Sequence, residues 1–200
     1  MKRGLIYIHG KGGNAAEAEH YRDLFADYEV IGFDYAAQTP WEANDEFRVF
    51  YEKFSAKYEQ ISIVANSIGA FFAMSALANA KIDTAYFISP IVNMEKLISD
   101  MLGWAGASEE ELRQKGEIIT EFGETLSWKY LEWVRQHPLT WQVSTHILCG
   151  SNDNLQSVDT IRDFASQVGA EVTVMNGGEH WFHTVEQMDF LDNWISGLLR

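Results

Sequence analysis

Short apolar runs rich in β-branched residues alternate along the chain with longer segments of helical periodicity. The apolar runs predict six strands, at residues 5–8, 29–33, 61–65, 84–88, 144–149 and 171–175. Helical spacing of apolar residues predicts helices at 15–26, 44–57, 69–79, 157–168 and 190–199. Alternating strands and helices are typical of a parallel sheet covered on both faces. We therefore predict an α/β fold, with a mostly parallel six-stranded sheet in a single domain of 200 residues.

The segment 91–139 breaks this alternation, because its apolar residues have helical spacing and no strand is predicted within it. It contains several large aromatic side chains, among them Trp104, Phe122, Trp128 and Trp133. One interpretation is a helical cap or lid inserted over the strand ends. The other is an extra pair of helices packed on the core, and the pattern leaves both open.

Charge and cysteine content restrict the expected partners and compartment. The net charge is −14 and no basic stripe occurs, so neither nucleic acid nor an anionic membrane is an expected partner. No charge occurs between Glu59 and Lys81, but the change from β-branched residues to Ala, Phe and Met predicts a strand and a buried helix rather than a membrane span. The single cysteine, Cys149, excludes an intramolecular disulfide and favours a cytoplasmic protein with a buried structural thiol.

The segment 61–80 reads ISIVANSIGAFFAMSALANA, which predicts a buried strand, a sharp turn at Ser67 and a helix of small residues. In such an elbow the hydroxyl projects above the sheet, close to the N–H groups and positive dipole end of the helix. The usual G-x-S-x-G pattern is A-N-S-I-G here, with Ala65 in place of the first glycine. An S-x-G also occurs in ordinary buried strand–helix junctions, so a nucleophilic role depends on partners for the serine.

Polar groups follow three other predicted strands. Asp153 lies in a turn after the strand at 144–149, and His180 lies in a glycine-rich loop after the strand at 171–175. HGKGG at 9–13 follows the first strand, and its glycines can turn backbone N–H groups toward the serine. A nucleophilic serine needs a base, an acid that orients the base, and donors for the oxyanion. In this chain the serine, the aspartate and the histidine follow one another in that order. The same order is expected when an elbow serine acts with an acid and a base on such a sheet.

With these motifs in this order, the chain resembles a small member of the α/β-hydrolase superfamily along nearly its whole length. The family's HG-x-G-G loop, nucleophile elbow, G-x-x-D acid turn and G-x-x-H-x-F histidine loop match residues 9–13, 65–69, 150–153 and 177–182. The segment 91–139 falls where this superfamily inserts its variable cap.

The resemblance implies a role for each matched side chain. Ser67 attacks a carbonyl carbon, His180 takes the proton and returns it to the leaving group, and Asp153 holds the imidazole tautomer and stabilises its cation. The expected reaction is cleavage of a carboxylic ester through an acyl-enzyme, without a cofactor, on a small-molecule ester or acyl substrate with apolar parts. Thioesterase, peptidase and acyltransferase activity use the same triad. The alternative of a different class is a non-catalytic protein that binds a ligand or another protein.

The resemblance also assigns the oxyanion donors to backbone groups. The N–H groups of Ile68 and of Lys11 or Gly12 are expected to stabilise the oxyanion, while the Lys11 side chain is expected to be solvated. Asn66, directly before the serine, either supports the turn or reaches the substrate.

Other titratable residues are alternatives for the triad. His183 competes with His180, but the spacing of the motif favours His180. Asp159 competes with Asp153, but its position at the start of a helix favours an interaction with the helix dipole. His9 is expected to have a structural part beside the oxyanion loop. No His, Cys, Asp or Glu set has the spacing of a metal site, and the glycines match neither a P-loop nor a dinucleotide fingerprint.

Overall fold

The computed structural model of the protein describes residues 2–199. In chain order its elements are β1 (Arg3–Ile8), a 3-10 helix (Ala15–Tyr21), β2 (Glu29–Phe33), α1 (Pro40–Ser55), β3 (Gln60–Asn66), α2 (Ile68–Ala76), β4 (Thr84–Ile88), α3 (Met94–Trp104), α4 (Glu109–Lys115), β5 (Glu117–Ile119), β6 (Thr125–Ser127), α5 (Trp128–Gln136), β7 (Thr145–Gly150), α6 (Val158–Val168), β8 (Glu171–Met175) and α7 (Val185–Leu198).

Six of these strands form one sheet, in the order β2-β1-β3-β4-β7-β8. Each neighbouring pair is parallel, so the carboxyl ends of all six strands lie along the same edge of the sheet. The predicted α/β fold with a six-stranded sheet is confirmed, and the bounds predicted for β2, β4 and β8 match residue for residue. The motifs that follow β1, β3, β7 and β8 therefore meet at one edge.

Alternation along the strands supplies an apolar layer to each face of the sheet. On one face, Tyr7 and Val64 belong to a buried cluster that also contains Tyr21 at the end of the 3-10 helix and Leu191 of α7. On the other face, Phe47 of α1 contacts Phe33 of β2 and Phe72 of α2, and all three rings are almost fully buried. Each such buried side chain contributes about 1.5–3 kcal/mol, so the sheet is a rigid support for residues at its edge.

Two helices begin a full turn or more upstream of their predicted starts. Helix α1 begins at Pro40, after a capping box in which Thr39 and Glu42 each bond the other's backbone N–H. Helix α7 begins at Val185, and the side chain of Thr184 caps it. In both helices the first turn lacks the apolar periodicity on which the prediction relied, whereas the capping residues mark the true starts.

The helix predicted at 15–26 is a 3-10 helix over Ala15–Tyr21. Its N-cap, Asn14, forms a capping box with Glu17, in which the Glu17 carboxylate accepts from the Asn14 N–H at 3.3 Å. This capped turn places Glu17 next to the loop that follows β1.

Residues Asn93–Leu139 form a compact unit of their own, distinct from the unit that contains the six-stranded sheet. Besides α3, α4 and α5 it contains the antiparallel hairpin of β5 and β6, so the prediction of no strand in 91–139 was wrong. Each of these strands is only three residues long, too short for an alternating pattern to be recognised. Thr120 closes the hairpin by hydrogen bonds with Glu124 in both directions, and Gly123 supplies a φ of 88°. A role for this unit as a cap or lid stays a prediction.

Cys149 lies in β7 and is completely buried. Burial raises the pKa of its thiol to about 11, because the thiolate would lose its hydration. Within residues 2–199, no helix has both the length and the apolar character needed to cross a membrane.

Candidate active site

Ser67 is the only residue between the end of β3 and the start of α2. It has φ 50° and ψ −122°, a positive φ that costs a residue with a side chain of order 1–3 kcal/mol. Ile68 opens α2, so its N–H has no acceptor within the helix and is available at the elbow. Gly69 is required for the close approach, because an added Cβ would overlap the carbonyl oxygen of His9.

Hydrogen bonds to the end of β4 hold the strained backbone of Ser67. Its N–H donates to the Ile88 carbonyl at 3.0 Å, and its carbonyl accepts from the N–H groups of Ala70 at 3.1 Å and Ile91 at 3.2 Å. Both backbone polar groups of Ser67 are therefore bonded. These bonds fix the backbone conformation and with it the direction in which the side chain leaves the turn.

The structure brings the three side chains predicted for a triad into contact. The Ser67 Oγ lies 2.8 Å from His180 Nε2, and His180 Nδ1 lies 2.8 Å from Asp153 Oδ2. Because a carboxylate only accepts, Nδ1 carries the proton and donates a hydrogen bond to Asp153, which leaves Nε2 as the acceptor for the Ser67 hydroxyl. The Asp153 side chain is fully buried, and that of His180 is 16% exposed. The arrangement can remove a proton from Ser67 and stabilise the imidazolium that results.

Backbone donors hold the second oxygen of the Asp153 carboxylate. Its Oδ1 accepts from the N–H of Leu155 at 2.8 Å and from that of Gln156 at 3.1 Å. Both carboxylate oxygens are thus bonded, one to the imidazole and one to the backbone. These bonds hold the carboxylate in one orientation.

The acid turn and the histidine loop are bonded directly to each other. The N–H of Asn152 donates to the Gly178 carbonyl at 2.8 Å, and the N–H of Ser151 donates to the Met175 carbonyl at 2.9 Å. Gly150 has no room for a side chain, because an added Cβ would overlap the Gly178 carbonyl. This backbone contact sets the distance between the residues that follow β7 and β8.

Lys11 and Gly12 lie at the centre of a turn after β1, closed by the Gly13 N–H donating to the Gly10 carbonyl at 3.2 Å. Gly12 has φ 76°, which favours glycine at that position of the turn. A Cβ on Gly10 would lie 3.2 Å from the Cβ of Ser67, so this loop touches the elbow. The oxyanion role of the Lys11, Gly12 and Ile68 N–H groups stays a prediction.

His9 packs beside this loop. Its ring stacks on Tyr35 with 4.2 Å between centroids, the Tyr35 hydroxyl donates to the His9 carbonyl at 2.8 Å, and its Nδ1 lies 2.8 Å from the Gly10 carbonyl. These contacts fit the structural part expected of His9.

His183 and Asp159, the alternatives for the triad, make other contacts. His183 stacks on Trp181, and its Nδ1 lies 2.7 Å from the Trp181 carbonyl, whereas His180 makes the contact with Ser67. Asp159 lies in the first turn of α6, whose N-cap is Ser157. No group of three His, Cys, Asp or Glu side chains within residues 2–199 is arranged to hold a metal ion.

Tyr7 and Glu17, which are connected to the elbow through Asn66, were not singled out from the sequence. The Asn66 Nδ2 donates to the Tyr7 hydroxyl at 2.9 Å, and the Tyr7 hydroxyl donates to the carboxylate of Glu17. The Asn14-to-Glu17 spacing of a capping box marks Glu17 as a structured residue, but nothing in the sequence connects it with Asn66. Of the two interpretations of Asn66, these contacts favour support of the turn.

The sequence matches no protein-family model and no curated protein, but many solved structures match the fold. Alpha/beta hydrolase domain-containing protein 10 from mouse is 17% identical, with a TM-score of 0.77 over 98% of this chain and 89% of that one. Est1E from Butyrivibrio proteoclasticus is 14% identical, with a TM-score of 0.76 over 99% of this chain and 87% of that one. A separate structure holds Est1E with ferulic acid bound.

A monoacylglycerol lipase from Paleococcus ferrophilus is 15% identical, with a TM-score of 0.64 over 97% of this chain and 94% of that one. The resemblance to the α/β-hydrolase superfamily is therefore confirmed at the level of the fold. The chain has a compact α/β-hydrolase fold, which it shares with these proteins.

Proposed function

We propose that the protein is a serine hydrolase that cleaves a carboxylic ester through an acyl-enzyme intermediate. The observation that carries the proposal is the hydroxyl–imidazole–carboxylate chain of Ser67, His180 and Asp153, with 2.8 Å at each contact. A fold alone does not define an activity, so the proposal depends on these side chains rather than on similarity to other hydrolases.

In the first half-reaction, Ser67 Oγ forms a bond to the ester carbonyl carbon while its proton moves to His180 Nε2. The carbonyl oxygen becomes an oxyanion, and Asp153 stabilises the imidazolium. When this intermediate collapses, the bond to the alcohol oxygen breaks, and His180 returns the proton to the departing alcohol. The acyl group is then esterified to Ser67.

In the second half-reaction, His180 takes a proton from water as the water oxygen attacks the acyl carbon. Collapse of the second intermediate breaks the bond to Ser67 Oγ, which regains its proton from His180, and the carboxylic acid leaves. In both halves we assign the oxyanion to the N–H groups of Ile68 and of Lys11 or Gly12. Each donor is expected to contribute about 3 kcal/mol to transition-state stabilisation.

We further propose a small-molecule substrate with an apolar acyl or aryl part. Trp181 follows His180 directly and is 71% exposed, and Val185 nearby is 79% exposed, so large apolar groups lie beside the proposed base in the chain. The net charge of −14 disfavours a strongly anionic substrate. Est1E, with its ferulic acid complex, and the monoacylglycerol lipase make aryl and acyl esters the first compounds to test.

The test compares wild type, Ser67→Ala and Ser89→Ala on p-nitrophenyl esters of increasing chain length, a feruloyl ester, thioesters and amides. Ser89 is a matched control, because it is also a strand-end serine with a positive φ. We expect Ser67→Ala to abolish turnover and labelling by a fluorophosphonate probe, and Ser89→Ala to retain both.

Equal labelling of Ser67→Ala and wild type would contradict the proposal. Labelling of Ser67 without turnover of any ester, thioester or amide would favour the binding protein instead. Turnover of thioesters in preference to oxygen esters would retain the mechanism and change only the substrate class.

A further inference from the structure

A chain of polar contacts leads from the surface of the protein to the residue before the proposed nucleophile. Glu17, in the 3-10 helix, accepts from the Tyr7 hydroxyl, and that hydroxyl accepts from the Asn66 Nδ2 at 2.9 Å. Asn66 is the last residue of β3 and is joined directly to Ser67. Tyr7 lies on β1, the neighbouring strand, in register with Val64.

The donors and acceptors in this chain can be arranged in only one way. A carboxylate only accepts, so the single hydroxyl proton of Tyr7 points to Glu17. The Tyr7 oxygen is then an acceptor and requires the NH₂ end of the Asn66 amide. Burial raises the pKa of Tyr7, and the neighbouring Tyr21 and Glu17 raise it further, so Tyr7 keeps its proton at any working pH.

The amide oxygen takes no part in fixing this orientation. The Asn66 Oδ1 is buried and has no hydrogen-bond partner among residues 2–199. The orientation of the amide is therefore set by the bond from its Nδ2 to Tyr7 and not by a contact of its oxygen.

The same carboxylate also touches the loop at 9–13. An added Cβ on Gly13 would lie 2.9 Å from Glu17 Oε1, so the carboxylate packs directly against the backbone of that loop. Glu17 Oε1 also accepts from the Asn14 N–H, which follows the loop. Glu17 is therefore linked to both parts of the proposed oxyanion site: indirectly to the elbow, through Tyr7 and Asn66, and directly to the loop at Gly13.

We propose that Glu17, Tyr7 and Asn66 are positioning residues that hold the Ser67 elbow and the loop at 9–13 at the spacing that the oxyanion requires. This inference rests on the proposed hydrolase function. It explains why a polar residue stands at the partly buried position before Ser67. Loss of these hydrogen bonds would weaken stabilisation of the transition state rather than the binding of substrate.

The test measures kcat and KM of Tyr7→Phe, Glu17→Ala and Glu17→Gln with the best ester from the panel. We expect kcat to fall roughly 10- to 100-fold in Tyr7→Phe and Glu17→Ala with KM nearly unchanged, as for a small misplacement of reacting groups. Glu17→Gln keeps an acceptor for the Tyr7 hydroxyl and is expected to recover most of the loss. Glu17 is exposed, so its variants are expected to fold even if Tyr7→Phe does not.

Two control variants remove the same kinds of bond away from the site. Tyr51→Phe removes a tyrosine hydroxyl that donates to the Lys81 carbonyl at 2.6 Å, and Glu42→Ala removes the capping-box glutamate of α1. Both are expected to retain the wild-type kcat. Equal loss of kcat in the controls, or a wild-type kcat in Tyr7→Phe and Glu17→Ala, would overturn the inference.

Amide hydrogen exchange gives a readout that does not depend on turnover. The N–H groups of Gly13 and Ser67 are both bonded, to the carbonyls of Gly10 and Ile88. In Tyr7→Phe and Glu17→Ala both are expected to exchange faster than in wild type, and unchanged exchange would contradict the inference. A wild type that neither hydrolyses esters nor reacts with fluorophosphonate would instead contradict the proposed function.

Discussion

Two serines at the ends of neighbouring strands both have a positive φ, but their side chains have different surroundings. Ser67 follows β3 with φ 50°, and Ser89 follows β4 with φ 43°, the only two positive φ angles outside glycine within residues 2–199. The Ser67 hydroxyl reaches His180, whereas Ser89 is 1% exposed and its hydroxyl has no partner among the described residues. Backbone strain alone therefore does not make a nucleophile.

The two turns also depend on each other. The strand that leads into Ser89 ends at Ile88, whose carbonyl accepts from the Ser67 N–H, while Ile91 beyond Ser89 donates to the Ser67 carbonyl. Ser89 itself donates its N–H to the Leu148 carbonyl of β7 at 2.8 Å. The strained turn at Ser89 thus bends the chain so that it supports Ser67 from both sides. Ser67 presents its side chain to His180, whereas the turn at Ser89 determines the path of the backbone.

The largest expected effect comes from removing the partner that distinguishes the two serines. His180→Ala leaves Ser67 with a strained backbone and no base, the condition of Ser89, and is expected to lower kcat by about 10⁴–10⁶-fold. Fluorophosphonate labelling followed by peptide mass spectrometry measures the reactivity of each serine directly. Labelling of Ser67 that persists in His180→Ala would show that strain and the helix terminus are sufficient for reactivity.

A medium effect is expected at Gly69, which lies in α2 shortly after Ser67. Ser89, by contrast, is followed by Pro90. Gly69→Ala places a Cβ against the His9 carbonyl and is expected to destabilise the protein by about 1–3 kcal/mol and to lower kcat. Urea unfolding measures the stability. The control Gly103→Ala, in α3 with open space around the position, is expected to stabilise by about 0.5–1 kcal/mol. A neutral Gly69→Ala would show that α2 can shift without cost.

The smallest effects compare glycine with alanine at positions 67 and 89. At a positive φ, glycine is expected to be about 1 kcal/mol more stable than alanine, the reverse of the order in ordinary helices and strands. Ser89→Ala itself is expected to be close to neutral, because it removes an unpaired buried hydroxyl. Thermal unfolding of all four variants measures this. A larger glycine advantage at 67 than at 89 would locate most of the strain in the elbow.

The parts of the fold that long patterns determine were predictable. Short runs rich in apolar residues predict β2, β4 and β8 with their correct bounds. The β5–β6 hairpin was not predictable, since a strand of three residues contains too few positions to show alternation. The helix starts at Pro40 and Val185 were missed because capping, rather than apolar periodicity, determines where those helices begin.

At the candidate site, the residues in motifs were predictable and their support was not. Ser67, Asp153 and His180 each follow a strand at a motif position, and parallel strands bring such positions to one edge. The Tyr7–Asn66 contact joins residues far apart in the sequence, and it depends on the register between β1 and β3. The positive φ of Ser89 has no local signature, because it arises from the backbone bonds made with the neighbouring strands.

The isolation of Cys149 has a practical consequence. It is the only thiol of the chain, it is completely buried in β7, and it directly precedes the Gly150 contact that joins the acid turn to the histidine loop. A thiol reagent can therefore reach it only when this part of the sheet opens. The rate of its modification reports, residue-specifically and without an added label, how often β7, the strand that leads to Asp153, separates from its neighbours.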